Sequence, residues 1–147
     1  MTTRELWQNI MHYGEFDRMP VIHWGGWEET RRRWLSEGLP ENVSEHEYFG
    51  AQPMSAGVNV MFPVEIGPWK ADPYAFRKKY GKELRVFGGI DKLEIAKGPE
   101  AIDAEIARRL PLMKEGGFIP LPDHLITPET SLEDYKYYLE QIRKLRF

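Results

Sequence analysis

Asp123 and His124 stand together directly after the apolar run "FIPL" (118–121) and Pro122. A histidine can donate or accept a proton near neutral pH, and it can bind a carboxylate. Released at a strand end, His124 with Asp123 would form a general acid or a ligand anchor. The same pair, inside "PLPDHLITP", could equally satisfy backbone groups in a proline-rich turn. Asp91, in "GGIDK", could orient a substrate or pair with His124, or it could cap the turn that follows. His23 beside Trp24 ends another short apolar run. It could share a site with His124, although a hydrogen-bonded core histidine is the favoured reading. Gly88 and Gly89 lack a Cβ, so a ligand or another backbone can approach them closely. Trp69, in a Pro/Gly loop, could line a pocket. Two histidines and Asp91 match a facial-triad metal site in residue types alone; no spacing supports it, so no metal and no cofactor is assigned.

The elements that must position these residues follow from periodicity and punctuation. Thr2 and Glu5 have capping-box spacing, and Leu6, Trp7, Ile10 and Met11 then fall on one helical face, stopped by Gly14. "MPVIHW" (19–24) predicts a strand. "WEETRRRWLSEG" predicts a helix with Trp27, Thr30, Trp34 and Leu35 inward, and "SEHEYFG" a shorter one; His12 and His46 fall on helices as surface or packing residues. Segment 58–69 has β-like residues, but Pro63 and Pro68 reduce it to an edge strand or irregular hairpin. Asp72-Pro73 opens a helix, 84–88 is a strand, Pro99 opens a helix, and 117–121 is a strand. Thr130 with Glu133 then caps a final helix whose inner stripe is Leu132, Tyr135, Leu139 and Ile142. Helix-length crossovers imply parallel strands. The expected fold class is therefore α/β. In such folds ligands bind beyond the carboxyl ends of the strands, the rim where His23, Asp91 and His124 fall.

Composition narrows the function. The 147 residues suit one domain, 1–147, with a real core. Net charge is −3 and the pI about 5.8, which argues against a dedicated nucleic-acid surface. Arg31-Arg32-Arg33 and Arg77-Lys78-Lys79 read as solvated helix faces. The sequence has no cysteine, which removes disulfides, thiolate nucleophiles and cysteine-bearing zinc sites. No window approaches a membrane span, and no signal-peptide core opens the chain, so a cytoplasmic location is expected.

Two stretches resemble a known family. "FDRMPVIHWGGWEETRRRWLSEGLPE…EYFG" is similar to the opening of uroporphyrinogen decarboxylase-family proteins, in the branch related to corrinoid-dependent methyltransferases. "KKYGKELRVFGGIDKLEIAKGPEAIDAEIARRLPLMKEGGFIPLPDHLITPETSLEDYKYYLEQIRKL" resembles their closing part. The resemblance implies a (β/α) barrel of more than twice this length, of which residues 1–70 would be the start and 73–147 the end. The junction would fall near "GPWKADPYAF". It would leave a partial TIM-barrel-like unit whose parallel sheet runs in the order 84–88, 117–121, 19–24.

What the family does divides along the same line. Its decarboxylases grip substrate carboxylates with an arginine-rich loop after the first strand, where this chain reads "WGGWEE". Their catalytic aspartate and tyrosine belong to the absent middle. The zinc methyltransferases need two cysteines that this chain lacks. His124 alone carries over, to the position of an active-site histidine after the last strand. The expectation is an oligomeric scaffold or binding module without classical decarboxylase activity. The alternative is a lyase or methyltransferase of the same superfamily acting at the strand rim on a carboxylated or tetrapyrrole- or corrinoid-like molecule. Open sheet edges and an uncovered sheet face would make the chain an obligate homo-oligomer, most simply a dimer, with 58–69 as a covering arm.

Overall fold

The apolar runs of the second half pair as parallel strands, β1 (Val86–Ile90) and β2 (Phe118–Pro122), in register from Val86 with Phe118 to Ile90 with Pro122. The computed structural model describes residues 1–52, 62, 64–67 and 70–147. Among them the helices are α1 (Thr3–Met11), α2 (Glu28–Ser36), α3 (Glu45–Phe49), α4 (Pro73–Tyr80), α5 (Lys92–Ile95), α6 (Pro99–Glu115) and α7 (Leu132–Lys144). The result is a mixed α/β arrangement with a small parallel sheet packed by helices. No described helix is long and apolar enough to cross a membrane.

Local signals set most of these boundaries. The Thr2–Glu5 capping box forms in full and starts α1. Asp72 caps α4 ahead of Pro73, and Gly50 ends α3 in the left-handed conformation. Helix α6 runs through Pro111 to Glu115, with Gly116 as its C-cap. Helix α7 starts one residue later than the Thr130–Glu133 pair suggests, because Ser131 supplies the cap, accepting from the Asp134 N–H. Its stripe Leu132, Tyr135, Leu139 and Ile142 is buried, with Tyr138 added. Trp27 departs from its expected inward place: it is the residue before α2 and is 47% exposed, while Thr30 and Trp34 of that helix are buried.

The third strand needs correction. Residues 19–24 do not join the sheet, which has two strands among the described residues. Ile22 makes a single parallel bridge to Gln52, and Gly26 a single parallel bridge to Ile126. The reason lies in β2 itself. Alternate backbone N–H groups along a strand point to the same side. The Asp123 N–H donates to the Ile90 carbonyl, so residues 119 and 121 face β1 with it. Pro120 and Pro122 then occupy positions whose N–H groups would have served a third strand, and proline has none to give. Parallel contact resumes past both prolines, where Trp27 N–H donates to Ile126 O and Ile126 N–H to Gly25 O.

The sheet is not left bare. Every residue of β1 and β2 is buried within the single chain, under Leu6, Trp7, Ile10 and Met11 of α1, under Met19, Val21 and Ile22, and under Val64. The uncovered face from which association was expected is therefore already covered. The arginine clusters are also less solvated than expected. Arg33 donates to the carbonyls of Pro128 and Glu129, and Arg77 to those of Gly116 and Gly117. Most of segment 58–69, expected as an edge strand or covering arm, lies outside the described residues.

Candidate functional site

The carboxyl ends of β1 and β2 deliver Asp91 and Asp123 to one rim, and both carboxylates are spent on backbone. Asp91 caps α5, accepting from the Leu93 N–H at 2.8 Å. Asp123 is fully buried. Its Oδ2 accepts from the N–H groups of Ile66 and Gly67, at 2.7 and 3.2 Å. Its Oδ1 accepts from the Lys92 N–H at 3.1 Å and lies 3.5 Å from the Lys92 ammonium. An ionised carboxylate has about four lone-pair sites, and here four donors address them. Two successive N–H groups of α5 are thus satisfied by carboxylates from two strand ends, and Asp123 also fixes the incoming 64–67 segment.

Lys92 completes the cluster. It is 7% exposed, and its ammonium sits 3.7 Å from a Glu65 oxygen as well as near Asp123. Burial of one charge is tolerated when an opposite charge and hydrogen bonds accompany it, and this cluster provides both. Lys92 and Glu65 were not singled out from sequence. The signal for Lys92 was its place one residue past Asp91 at a strand end.

His124 takes the other face of the rim. It is half-buried, its Nδ1 is buried with no hydrogen-bond partner, and its ring lies 5.5 Å from that of Trp24. Trp24 contacts Phe62 at 4.9 Å, Phe62 stacks on Phe87 at 5.1 Å, and Phe87 meets Trp7 edge-on at 5.1 Å. An aromatic row thus runs from the rim histidine into the core, with Phe62 37% exposed.

His23 does not join this site. Successive side chains of an extended backbone point to opposite sides, so Trp24 faces the rim while His23 faces the α2–α3–α7 layer. There His23 is fully buried, with Nδ1 2.9 Å from the Tyr135 hydroxyl and Nε2 2.7 Å from a Glu45 oxygen. Arg31 donates to the other Glu45 oxygen at 3.0 Å. The hydrogen bond from His23, joined by Arg31, holds the Glu45 carboxyl below the usual carboxylate range against the opposing effect of burial. Burial pushes the Tyr135 phenol well above its ordinary value. This is the hydrogen-bonded core histidine of the favoured sequence reading.

The two glycines accommodate the chain's own atoms. A Cβ on Gly88 would lie 3.1 Å from the Val64 nitrogen; one on Gly89 would lie 3.0 Å from the Phe118 ring and 3.2 Å from Pro73. Trp69 lies outside the described residues. Among the described residues no group of three or more histidines and carboxylates could hold a metal ion. What the described rim offers chemically is a π-surface beside the half-buried imidazole of His124. No family model matches the chain, and neither does any solved structure.

Proposed function

We propose that the chain is a binding module rather than a catalyst, built as a shortened relative of the uroporphyrinogen decarboxylase family and working in association with copies of itself. The observation that carries this reading is the saturated Asp123 carboxylate: it is buried and engaged by four donors. A group so held has no free lone pair with which to take a proton, and Asp91 engages one oxygen as the cap of α5. Neither carboxylate is hydrogen-bonded to His124, so among the described residues the rim retains a binding surface without an assembled acid–base pair. Since β1 and β2 are covered within one chain, self-association would use the exposed apolar residues Trp27, Phe62 and Leu93 instead of a bare sheet. The test is an assay for decarboxylation and methyl transfer on porphyrinogens and methylated small molecules, alongside light scattering at low micromolar concentration. Turnover that disappears in His124→Ala would overturn the non-catalytic reading; a monomer would overturn the assembly.

One observation favours the second reading, a lyase or methyltransferase site at the same rim. The buried His124 Nδ1 has no partner, and it stands beside Trp24. A flat, carboxylated ligand stacked on the indole would meet that nitrogen once the imidazole turned toward the surface. Titration of carboxylated aromatic compounds with tryptophan fluorescence as the readout tests it, with His124→Ala as the control.

A further inference from the structure

The buried network on the far side of His23 has the parts of a redox site. Tyr135 is fully buried and stacks on Trp34, ring centroids 5.0 Å apart and planes 18° apart, and on Tyr138 at 5.9 Å. Its hydroxyl is 2.9 Å from His23 Nδ1, and His23 Nε2 is 2.7 Å from Glu45. An ionised carboxylate only accepts, so Nε2 carries a proton toward Glu45; in the neutral ring Nδ1 is then the acceptor and Tyr135 the donor. We propose that Tyr135 is a proton-coupled one-electron donor, with Trp34 and Tyr138 as its electronic contacts and His23 as its base.

The step balances with one external oxidant and one external reductant. A one-electron oxidant of the peroxide-derived radical class removes one electron from Tyr135, directly or through Trp34. The phenolic proton moves to His23 Nδ1, leaving a neutral tyrosyl radical and an imidazolium whose Nε2–H still faces the Glu45 carboxylate. A thiolate returns the electron and becomes a thiyl radical, while the proton moves back from His23 Nδ1 to the phenolic oxygen. A buried phenol cannot release its proton to water, and an uncompensated charge in the core is costly, so a local base decides which buried tyrosine can be oxidised. Tyr138, also buried, stacks on Tyr135. At the surface, Tyr137 donates to Asp103 and is the natural comparison.

Flash-generated tris(bipyridine)ruthenium(III), with electron paramagnetic resonance and transient absorption as readouts, tests the assignment on the full chain. The expected result is a neutral tyrosyl radical that is lost in Tyr135→Phe, persists in Tyr137→Phe and forms more slowly in deuterated water. A signal unchanged in Tyr135→Phe, or abolished in Tyr137→Phe, overturns it. Should circular dichroism show that Tyr135→Phe does not fold, Glu45→Gln is the second variant, since it weakens the base from the edge of the network. Slower radical formation in Glu45→Gln is expected, and an unchanged rate refutes the role of the His23–Glu45 pair.

Discussion

Asp123 and Lys92 meet twice: one carboxylate oxygen accepts from the lysine's backbone N–H at 3.1 Å and faces its ammonium at 3.5 Å. This relationship ties the end of β2 to the start of α5, and the other oxygen ties both to residues 66 and 67. Removing Asp123 would leave Lys92 with Glu65, 3.7 Å away, as its remaining opposite charge among the described residues.

Asp123→Asn therefore lowers stability by about 1.5–3 kcal/mol, because an amide cannot accept from all four donors and Lys92 is left with Glu65 as its one carboxylate neighbour among the described residues. Urea denaturation followed by tryptophan fluorescence measures it. A variant as stable as the parent would refute the clamp.

Glu45 gives a pH dependence with a definite sign. Its folded pKa lies below the unfolded value, set first by the hydrogen bond from His23. The stability it contributes is present above the unfolded carboxylate range and is lost as pH falls through the folded value. Glu45→Gln costs about 1.5–3 kcal/mol near neutrality, as for hydrogen bonds to charged groups. The difference between parent and variant narrows in acid. Urea midpoints taken from neutral to acidic pH check this, and a constant gap would contradict it.

Gly89 holds φ at +75° with the Phe118 ring 3.0 Å from where a Cβ would stand. Gly89→Ala combines backbone strain with overpacking and should cost about 1–3 kcal/mol. Thermal unfolding reads the loss. A neutral result would mean that the site is more open than the packing of Phe118 and Pro73 indicates.

Trp27, 47% exposed at the start of α2, separates assembly from folding. Trp27→Ala, which like the parent offers no side-chain cap to α2, should change monomer stability by no more than about 0.5 kcal/mol, as surface substitutions do. If the apolar rim joins copies of the chain, the same variant shifts the mass seen by light scattering toward the monomer. A mass unaltered by Trp27→Ala would exclude that residue from any interface.

The sequence by itself determined whatever depends on neighbours along the chain. The Thr2–Glu5 box, the Asp72-Pro73 start, the burial of Leu132, Tyr135, Leu139 and Ile142, and the two parallel strands were all legible, because caps and periodicity act within a few residues. So was the loss of a third strand beside β2, in retrospect, since Pro120 and Pro122 sit two apart. Tertiary structure decided the rest. That Asp123 would be saturated depended on Ile66, Gly67 and Lys92 arriving from 57, 56 and 31 residues away. That His23 would turn from the rim depended on Tyr135, 112 residues distant, and on Glu45. A polar residue at a strand end announces only that a hydrogen-bonding group is present. Whether a ligand or the protein itself meets that group is settled by which distant donors folding brings to it, and local sequence carries no record of them.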